Sequence, residues 1–248
     1  MKPYQQVPIQ DCGEPLLPIP AALFARTEPH PYVQLAAPYA DKSPYYLRQG
    51  VLERLIQAQQ LLQRQRPGWQ IQIFDAYRPI PVQQFMVDYS LQRLLQAVGL
   101  TLKTANQLQK QQALEQVQQF WAVPSLDPAT PPPHSTGAAL DVTLVDAAGP
   151  VEMGSPIDEM SPRSFPNHFA TATTETGQTA HQNRMLLHEV MTQVGFEQHP
   201  QEWWHFSYGD QLWAWLVRQK QTASSAQPPE LGLGQPQLPI AQYGAAAI

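Results

Sequence analysis

The sequence predicts a single large domain in which helices and strands are mixed. Apolar residues recur at helical spacing between positions 51 and 62. Shortly afterwards, Trp69, Ile71 and Ile73 alternate with glutamines, which is typical of a half-buried strand. The chain has 248 residues, and 43% of them are hydrophobic, so it can bury a sizeable core.

The predicted elements follow one another in an order set by periodicity and by helix breakers. Residues 1–48, rich in Pro and Tyr, are predicted to form an extended arm over the core, before a helix that Pro67-Gly68 ends. The later elements are a strand at 69–74, two Gln-rich helices at 82–97 and 104–121, a strand at 138–144, a helix at 179–194 and an aromatic strand at 202–209. The domain is expected to cover residues 1–220, and residues 221–248 have the Pro/Gln-rich composition of a flexible tail.

Composition excludes several classes of protein. The net charge is -5 and 14% of residues are charged, without a Lys/Arg block, so we expect neither nucleic acid nor an anionic membrane as partner. Cys12 is the single cysteine, so any metal must be bound by His and carboxylate ligands. No apolar run approaches the ~20 residues that span a bilayer, and the first residues lack a signal-peptide pattern. A cytoplasmic protein is expected, and its oligomeric state is left open.

The first candidate metal motif is HSTGAALD at residues 134–141. Alternation along the predicted strand places Asp141 on the face opposite to Leu140 and Val142. An Asp within an apolar strand is costly unless it is paired or bound to a cation. A divalent metal shared with His134 would remove that cost, and zinc binds both residue types. The alternative is a loop histidine and an Asp that is hydrogen-bonded to the backbone.

The second motif is EWWH at residues 202–205. Zinc hydrolases need a carboxylate that accepts a proton from water, and a Glu close to a ligand His can supply it. Trp203 and Trp204 would exclude water and so raise the pKa of Glu202. Because positions 202 and 205 of a regular strand face opposite sides, Glu202 must lie just before the strand or at a bulge. The alternative is a pair of core tryptophans beside a surface Glu and an incidental His205.

Together the two motifs supply two imidazoles, from His134 and His205, and one carboxylate, from Asp141. This set leaves a fourth position open, which is the layout of a catalytic rather than a structural zinc site. The remaining histidines lack an accompanying carboxylate motif and are interpreted as weaker candidates or as core and surface residues. These are His30, His168, His181, His188 and His199.

The third feature is DAYRP at residues 75–79, where a predicted strand ends. Functional residues are frequent where strands run into loops. Arg78 could place a fixed positive charge beside a developing oxyanion, opposite the metal. Tyr77 and Asp75 could line the pocket as substrate-binding residues, or they could orient Arg78. The alternative is a structural Asp–Arg pair that closes a turn.

These three motifs resemble those of the D-alanyl-D-alanine dipeptidases. FDAYRP at 74–79, HSTGAALD at 134–141 and EWWHF at 202–206 occur in the order and approximate spacing of that family, and the similarity extends from Tyr4 to Val217. The family is related to zinc DD-carboxypeptidases and to the Hedgehog signalling domain. The resemblance implies an α+β fold with a central antiparallel sheet flanked by helices.

By position, the resemblance implies one Zn²⁺ per chain, held by His134, Asp141 and His205. The catalytic base of the family falls on Glu202, and its transition-state arginine falls on Arg78. The implied reaction is hydrolysis of the small dipeptide D-Ala-D-Ala to D-alanine by metal-activated water, with Glu202 as general base.

The family also has an acidic residue, after a Met-Gly segment, that receives the free amino group of the dipeptide. MGSPIDEM at residues 153–160 resembles that segment and points to Asp158. The family often has a serine two residues before the first ligand His, and Pro132 stands at that position here.

Other functions share parts of this pattern. A DD- or LD-carboxypeptidase acting on peptidoglycan stem peptides would need an open cleft, whereas a dipeptidase needs an anionic group for the free amine. A non-catalytic zinc-stabilised binding module would need neither Glu202 nor an open metal position. In a further alternative, His134 and Asp141 are structural and no metal binds. The presence of Glu202, Arg78 and Asp158 favours the dipeptidase.

Overall fold

The main sheet is built on the long strand that carries Asp141. The structure, a computed structural model, describes residues 2–224 and 238–246. The strands are β1 (Leu16–Pro18), β2 (Ala25–Arg26), β3 (Tyr46–Arg48), β4 (Gln70–Asp75), β5 (Ala139–Asp146), β6 (Gly149–Pro150), β7 (Glu197–Gln198) and β8 (His205–Ser207). Within the described residues the main sheet has the order β2-β4-β5-β8-β7, with β6 paired to the end of β5, and β1 pairs with β3 separately.

The sheet is antiparallel except at one edge. The pairs β4–β5, β5–β6, β5–β8 and β7–β8 are antiparallel, whereas the two residues of β2 pair with β4 in parallel. The parallel pair is possible because the long connection between β2 and β4 lets the chain return in the same direction. The predicted α+β class with a central antiparallel sheet is therefore confirmed, and the N-terminal arm adds one short parallel strand.

Helices pack around this sheet, and local sequence signals explain several of their boundaries. They are α1 (Pro31–Gln34), α2 (Gln49–Gln65), α3 (Ile80–Ala97), α4 (Gln107–Phe120), α5 (Glu175–Thr192) and α6 (Gln211–Ser224). Pro81 lies in the first turn of α3, where its missing N–H is not needed. Asn106 and Gln109 form a reciprocal capping box at the start of α4. Among the described residues, the search for a helix long and apolar enough to cross a bilayer finds none.

The core lies between the sheet and helices α2 and α5. Ile71 and Ile73 of β4 pair with Leu144 and Val142 of β5, and all four side chains are buried. Buried apolar residues of α2 and α5 belong to the same cluster. Burial of each such side chain stabilises the fold by about 1.5–3 kcal/mol. Strand alternation places Asp141 on the opposite face of β5.

A β-bulge decides which face of the sheet Asp75 joins. Strict alternation from Ile71 and Ile73 would direct Asp75 into the apolar core. The register instead shifts, so that Ile73 pairs with Val142 while Asp75 pairs with the next residue along β5, Asp141. The bulge thereby brings Asp75 to the polar side of the sheet, where the candidate site is built.

The C-terminal segment packs against the domain, which corrects the prediction of a flexible tail over 221–248. Helix α6 continues to Ser224, and residues 238–246 lie against the N-terminal arm. Tyr243 is 1% exposed, and its hydroxyl donates to Glu14 Oε2 at 2.8 Å. The prediction from composition failed because a few buried apolar side chains hardly change the average composition of a Pro/Gln-rich segment. The rest of the predicted tail lies outside the described residues.

Candidate metal centre and active site

The three predicted metal ligands converge where β5 meets β8. Asp141 of β5 lies directly opposite His205 of β8 in the antiparallel register. His134 belongs to a 3-10 turn that leads into β5. Gly137 ends this turn at φ 71°, a left-handed conformation that glycine adopts without strain. A Cβ at Gly137 would also collide with a leucine side chain of β1, so the turn that positions His134 requires glycine there.

The donor atoms have nearly the spacing of a tetrahedral zinc site. His134 Nε2 and His205 Nδ1 lie 3.1 Å apart, and Asp141 Oδ1 lies 3.1 Å from His205 Nδ1. The other oxygen of the same carboxylate, Oδ2, lies 3.3 Å from His134 Nε2, and one donor atom from each of the three residues lies within 4.8 Å of the other two. Zinc bonds of ~2.0–2.2 Å at tetrahedral angles separate the donors by about 3.3–3.6 Å. The three buried side chains therefore fit a zinc ion after small adjustments, with a fourth position left for water or substrate.

Hydrogen bonds hold both imidazoles in the tautomers that a metal requires. His134 Nδ1 lies 2.7 Å from the carbonyl oxygen of Ala76, and because that oxygen only accepts, Nδ1 donates and the lone pair is on Nε2. His205 Nε2 lies 3.3 Å from Ser207 Oγ, which in turn hydrogen-bonds to Asp210. Burial lowers the pKa of His205, which favours the neutral form that binds metal.

Glu202 lies beside the candidate metal centre, just before β8. This is one of the two positions predicted from the alternation of side chains along the strand. Its Oε2 is 3.7 Å from His205 Nδ1, and its Oε1 is 3.8 Å from His199 Nδ1. The side chain is 8% exposed. Burial, reinforced by the charge of Asp141, raises the pKa of Glu202 well above its ordinary value, and the charge of a bound metal would lower it again. Glu202 is therefore placed to exchange a proton with a water at the open metal position.

Arg78 is held in place from several sides. Its Nε donates to Asp75 Oδ2 at 2.9 Å, and its Nη1 donates to Gln83 Oε1 at 2.9 Å. Its Nη2 donates to Asp141 Oδ2 at 3.3 Å, and the guanidinium lies 4.9 Å from the centroid of the Trp121 ring. These contacts make the guanidinium a preorganised positive charge at the rim of the metal centre.

Two residues predicted to bind substrate lie behind the site. Asp75 is 0% exposed and, besides its contact with Arg78, it lies 3.1 Å from both His30 Nε2 and Tyr39 Oη. Of the two roles predicted for Asp75, the structure supports orientation of Arg78. Tyr77 is buried, and its hydroxyl lies 3.4 Å from a carbonyl oxygen of the C-terminal segment. Neither residue is among those that line the cavity described below, because the bulge and the packed C-terminal segment decide where these side chains lie.

Asp158 approaches the centre from the irregular segment after β6. Its φ is 66°, a left-handed conformation that costs a non-glycine residue roughly 1–3 kcal/mol and is frequent at functional sites. Tyr32 donates a hydrogen bond to Asp158 Oδ2 at 2.7 Å. Burial and the charge of Asp141 raise the pKa of Asp158 to about 7. An ammonium group in the cavity would therefore stabilise the ionised form of Asp158.

A narrow cavity of about 40 Å³ opens onto these groups. The metal donors, Arg78, Asp158 and Glu202 all line it. The sequence pattern missed several other lining residues. These are Lys2, Tyr4, Gln83, Trp121 and His199. The position of His199, three residues before Glu202, is a signal that could have identified it, whereas the others come from distant segments without a recognisable motif.

Comparison with known proteins agrees with this geometry. A family model described as D-ala-D-ala dipeptidase, peptidase family M15, matches residues 25–225. The chain belongs to the D-Ala-D-Ala dipeptidase family. It is 50% identical over 227 residues to a D-alanyl-D-alanine dipeptidase of Synechocystis sp., which covers 89% of this chain and 92% of that protein. The resemblance predicted from the three motifs is thereby confirmed.

More distant similarities extend to other proteins. The chain is 29% identical over 161 residues to a D-alanyl-D-alanine dipeptidase of Enterococcus faecium, covering 64% of this chain and 71% of that protein. Among solved structures, it is similar to the LdcB LD-carboxypeptidase with a TM-score of 0.45 and 14% identity, over 88% of this chain and 79% of that one. A structural likeness this low establishes neither activity nor substrate.

In this member of the dipeptidase family, a buried arginine holds the irregular segment after β6. Arg184 of α5 is 0% exposed and donates to the carbonyl oxygens of Met153 and Phe165 at 2.7 and 2.9 Å. It also donates to Ser155 Oγ at 3.0 Å, and the same Oγ accepts from Trp203 Nε1 at 3.0 Å. Arg184 thus links the segment that carries Asp158 to Trp203, the residue that follows Glu202 in the chain.

Replacement of Arg184 should destabilise the protein strongly. We expect Arg184→Met to lower the free energy of unfolding by about 2–5 kcal/mol, because buried carbonyl groups lose their donors. Thermal melting followed by circular dichroism would measure the change, with Arg163→Met as control because the Arg163 side chain is 52% exposed. Similar melting temperatures for the two variants would contradict the prediction.

Proposed function

We propose that this chain is a zinc-dependent dipeptidase that hydrolyses D-Ala-D-Ala to two molecules of D-alanine, with one zinc ion per chain. The observation that carries the proposal is the convergence of three buried donor atoms with the carboxyl group of Glu202 in one narrow cavity. Membership of the D-Ala-D-Ala dipeptidase family supports the same substrate class.

Each candidate residue has a distinct task in the proposed reaction. Zinc bound by His134, Asp141 and His205 would supply a Lewis acid that activates water and polarises the scissile carbonyl. Glu202 accepts a proton from the attacking water at a carboxylate oxygen and then passes it to the leaving amine. Arg78 stabilises the negative charge that develops on the carbonyl oxygen.

The remaining groups position the dipeptide and exclude solvent. Asp158 in its ionised form receives the free amino group, since its charge and its place in the cavity suit an ammonium ion. Trp204 is buried and lines the cavity together with Glu202, so it helps to keep water away from the carboxyl group. A low local dielectric then strengthens each charge interaction in the site.

A carboxypeptidase acting on peptidoglycan stem peptides is the main alternative. The substrates of such an enzyme are acylated where a dipeptide has its free amine, so they would leave Asp158 without a partner. A non-catalytic zinc-stabilised module would have no use for a buried carboxyl group beside the open metal position.

The decisive experiment compares two substrates on the purified full chain. We expect kcat/KM for D-Ala-D-Ala to exceed that for an N-acylated tripeptide ending in D-Ala-D-Ala by about 100-fold or more, because the acylated substrate leaves a buried carboxylate unpaired. A chelator should abolish turnover, zinc should restore it, and elemental analysis should find one zinc per chain. Preference for the acylated peptide would identify a carboxypeptidase, and absence of bound zinc would reject the metal site.

A further inference from the structure

The N-terminal segment forms one wall of the candidate active-site cavity. Lys2 and Tyr4 line this cavity together with His199 and Glu202. The segment is built into the fold, because Tyr4 is buried and Gln211 Nε2 donates to the carbonyl oxygen of the buried Val7 at 2.7 Å. Lys2 is therefore delivered to the cavity by an anchored segment.

The ammonium group of Lys2 is partly buried and lacks a partner in the part of the chain that the structure describes. Among the described residues it has neither a hydrogen bond nor an ion pair within 4.0 Å. Burial lowers the pKa of Lys2, and the charge of Glu202 offsets part of that effect. A partly buried cation without a partner costs free energy, and an anion that entered the cavity would reduce this cost.

The charges of the cavity are arranged in two groups. Asp158 is hydrogen-bonded to Tyr32, which lies beside Arg78. Lys2 lines the same cavity, and the charge that acts on it is that of Glu202. The cavity thus offers a negative group, Asp158, and a positive group, Lys2, that has no partner among the described residues.

A free dipeptide has the complementary pattern of charges. It has an ammonium group at one end and a carboxylate at the other. In the proposed reaction Glu202 gives a proton to the leaving amine, so the C-terminal residue of the dipeptide must lie beside Glu202. That residue carries the carboxylate, and Lys2 lines the cavity and is under the influence of the charge of Glu202.

We infer that Lys2 receives the C-terminal carboxylate of the substrate and thereby selects dipeptides with a free acid. This inference rests on the proposed function and adds a specificity-determining residue to it. Lys2 acts on binding of the carboxylate and takes no part in proton transfer. Its removal should therefore affect substrates that carry the carboxylate and spare those that lack it.

The test uses steady-state kinetics with D-Ala-D-Ala and with D-Ala-D-alaninamide, which lacks the carboxylate. We expect Lys2→Met to lower kcat/KM for the acid by about 10- to 100-fold, mainly through KM, as for the loss of a charged hydrogen bond. The amide should change by less than about 3-fold, and Lys2→Arg should recover part of the loss. Lys103→Met, at an exposed position outside the cavity lining, is the matched control and should leave both substrates unchanged.

Equal losses for acid and amide would overturn the inference, because Lys2 would then act on Glu202 or on folding alone. No loss for either substrate would overturn it as well. A binding measurement separates this failure from failure of the proposed function. Calorimetry would measure the binding of D-Ala-D-Ala to two zinc-loaded proteins, the Glu202→Ala variant and the double variant Glu202→Ala/Lys2→Met. We expect binding to be at least about 10-fold weaker in the double variant. If the wild type does not hydrolyse D-Ala-D-Ala, the proposed function fails. If the two variants bind D-Ala-D-Ala equally well, or if neither binds it, the role of Lys2 is rejected.

Discussion

Glu202→Gln should lower kcat for D-Ala-D-Ala by about 10²- to 10⁴-fold, the range expected for loss of a general base. The substitution keeps the shape of the side chain but removes the group that accepts a proton from water. Zinc should remain bound, because His134, Asp141 and His205 supply the donor atoms and Glu202 is not among them. Activity should therefore disappear without loss of metal or of folding.

Three measurements on the same preparations would test this expectation. Elemental analysis gives the zinc content, thermal melting gives the stability, and initial rates give kcat and KM. Glu115→Gln is the matched control, because Glu115 is an exposed residue of α4 outside the cavity lining. Near-normal turnover by Glu202→Gln would show that another group is the base.

The pH dependence of the wild type gives an independent signature of Glu202. A protonated carboxyl group cannot accept a proton, so activity should fall as the pH drops through the pKa of Glu202. This acidic limb should be absent from whatever residual rate remains in Glu202→Gln. If the variant retains an unchanged acidic limb, the limb belongs to a different group.

Arg78→Lys should lower kcat by about 10²- to 10³-fold, the range for loss of an aligned oxyanion donor. Lysine keeps the charge but loses the planar fork with which Arg78 bonds to Asp75 and Gln83 at the same time. The charge would then no longer be held at a fixed place beside the metal centre. KM should change less than kcat, because the lost interaction forms with the transition state.

Stability must be measured alongside, since Arg78 also neutralises the buried Asp75. Arg93→Lys is a suitable control, because Arg93 is exposed on α3 and does not line the cavity. If Arg78→Lys folds normally, binds zinc and keeps its kcat, Arg78 has only the structural role of closing a turn. A rise in KM alone would likewise contradict the transition-state role.

The sequence by itself determined the family and predicted the candidate metal donors. Period-2 alternation around Asp141 put that carboxylate on the face opposite to Leu140 and Val142, and the register of β5 confirms this placement. The same parity required Glu202 to lie either just before the strand that carries His205 or at a bulge, and Glu202 precedes that strand. These inferences succeeded because they depend on residues close together in one strand, where backbone geometry alone sets the direction of each side chain.

Only the tertiary structure decided which distant residues complete the site. One extra residue at a bulge moved Asp75 behind Arg78, although alternation in β4 predicts the opposite face. Lys2 reaches the cavity because an N-terminal segment docks against α6, and the C-terminal residues pack where composition predicts a free tail. Such contacts join residues separated by as many as 229 positions, so no local period or motif encodes them. They depend on how complete elements pack, and packing is a property of the whole folded chain.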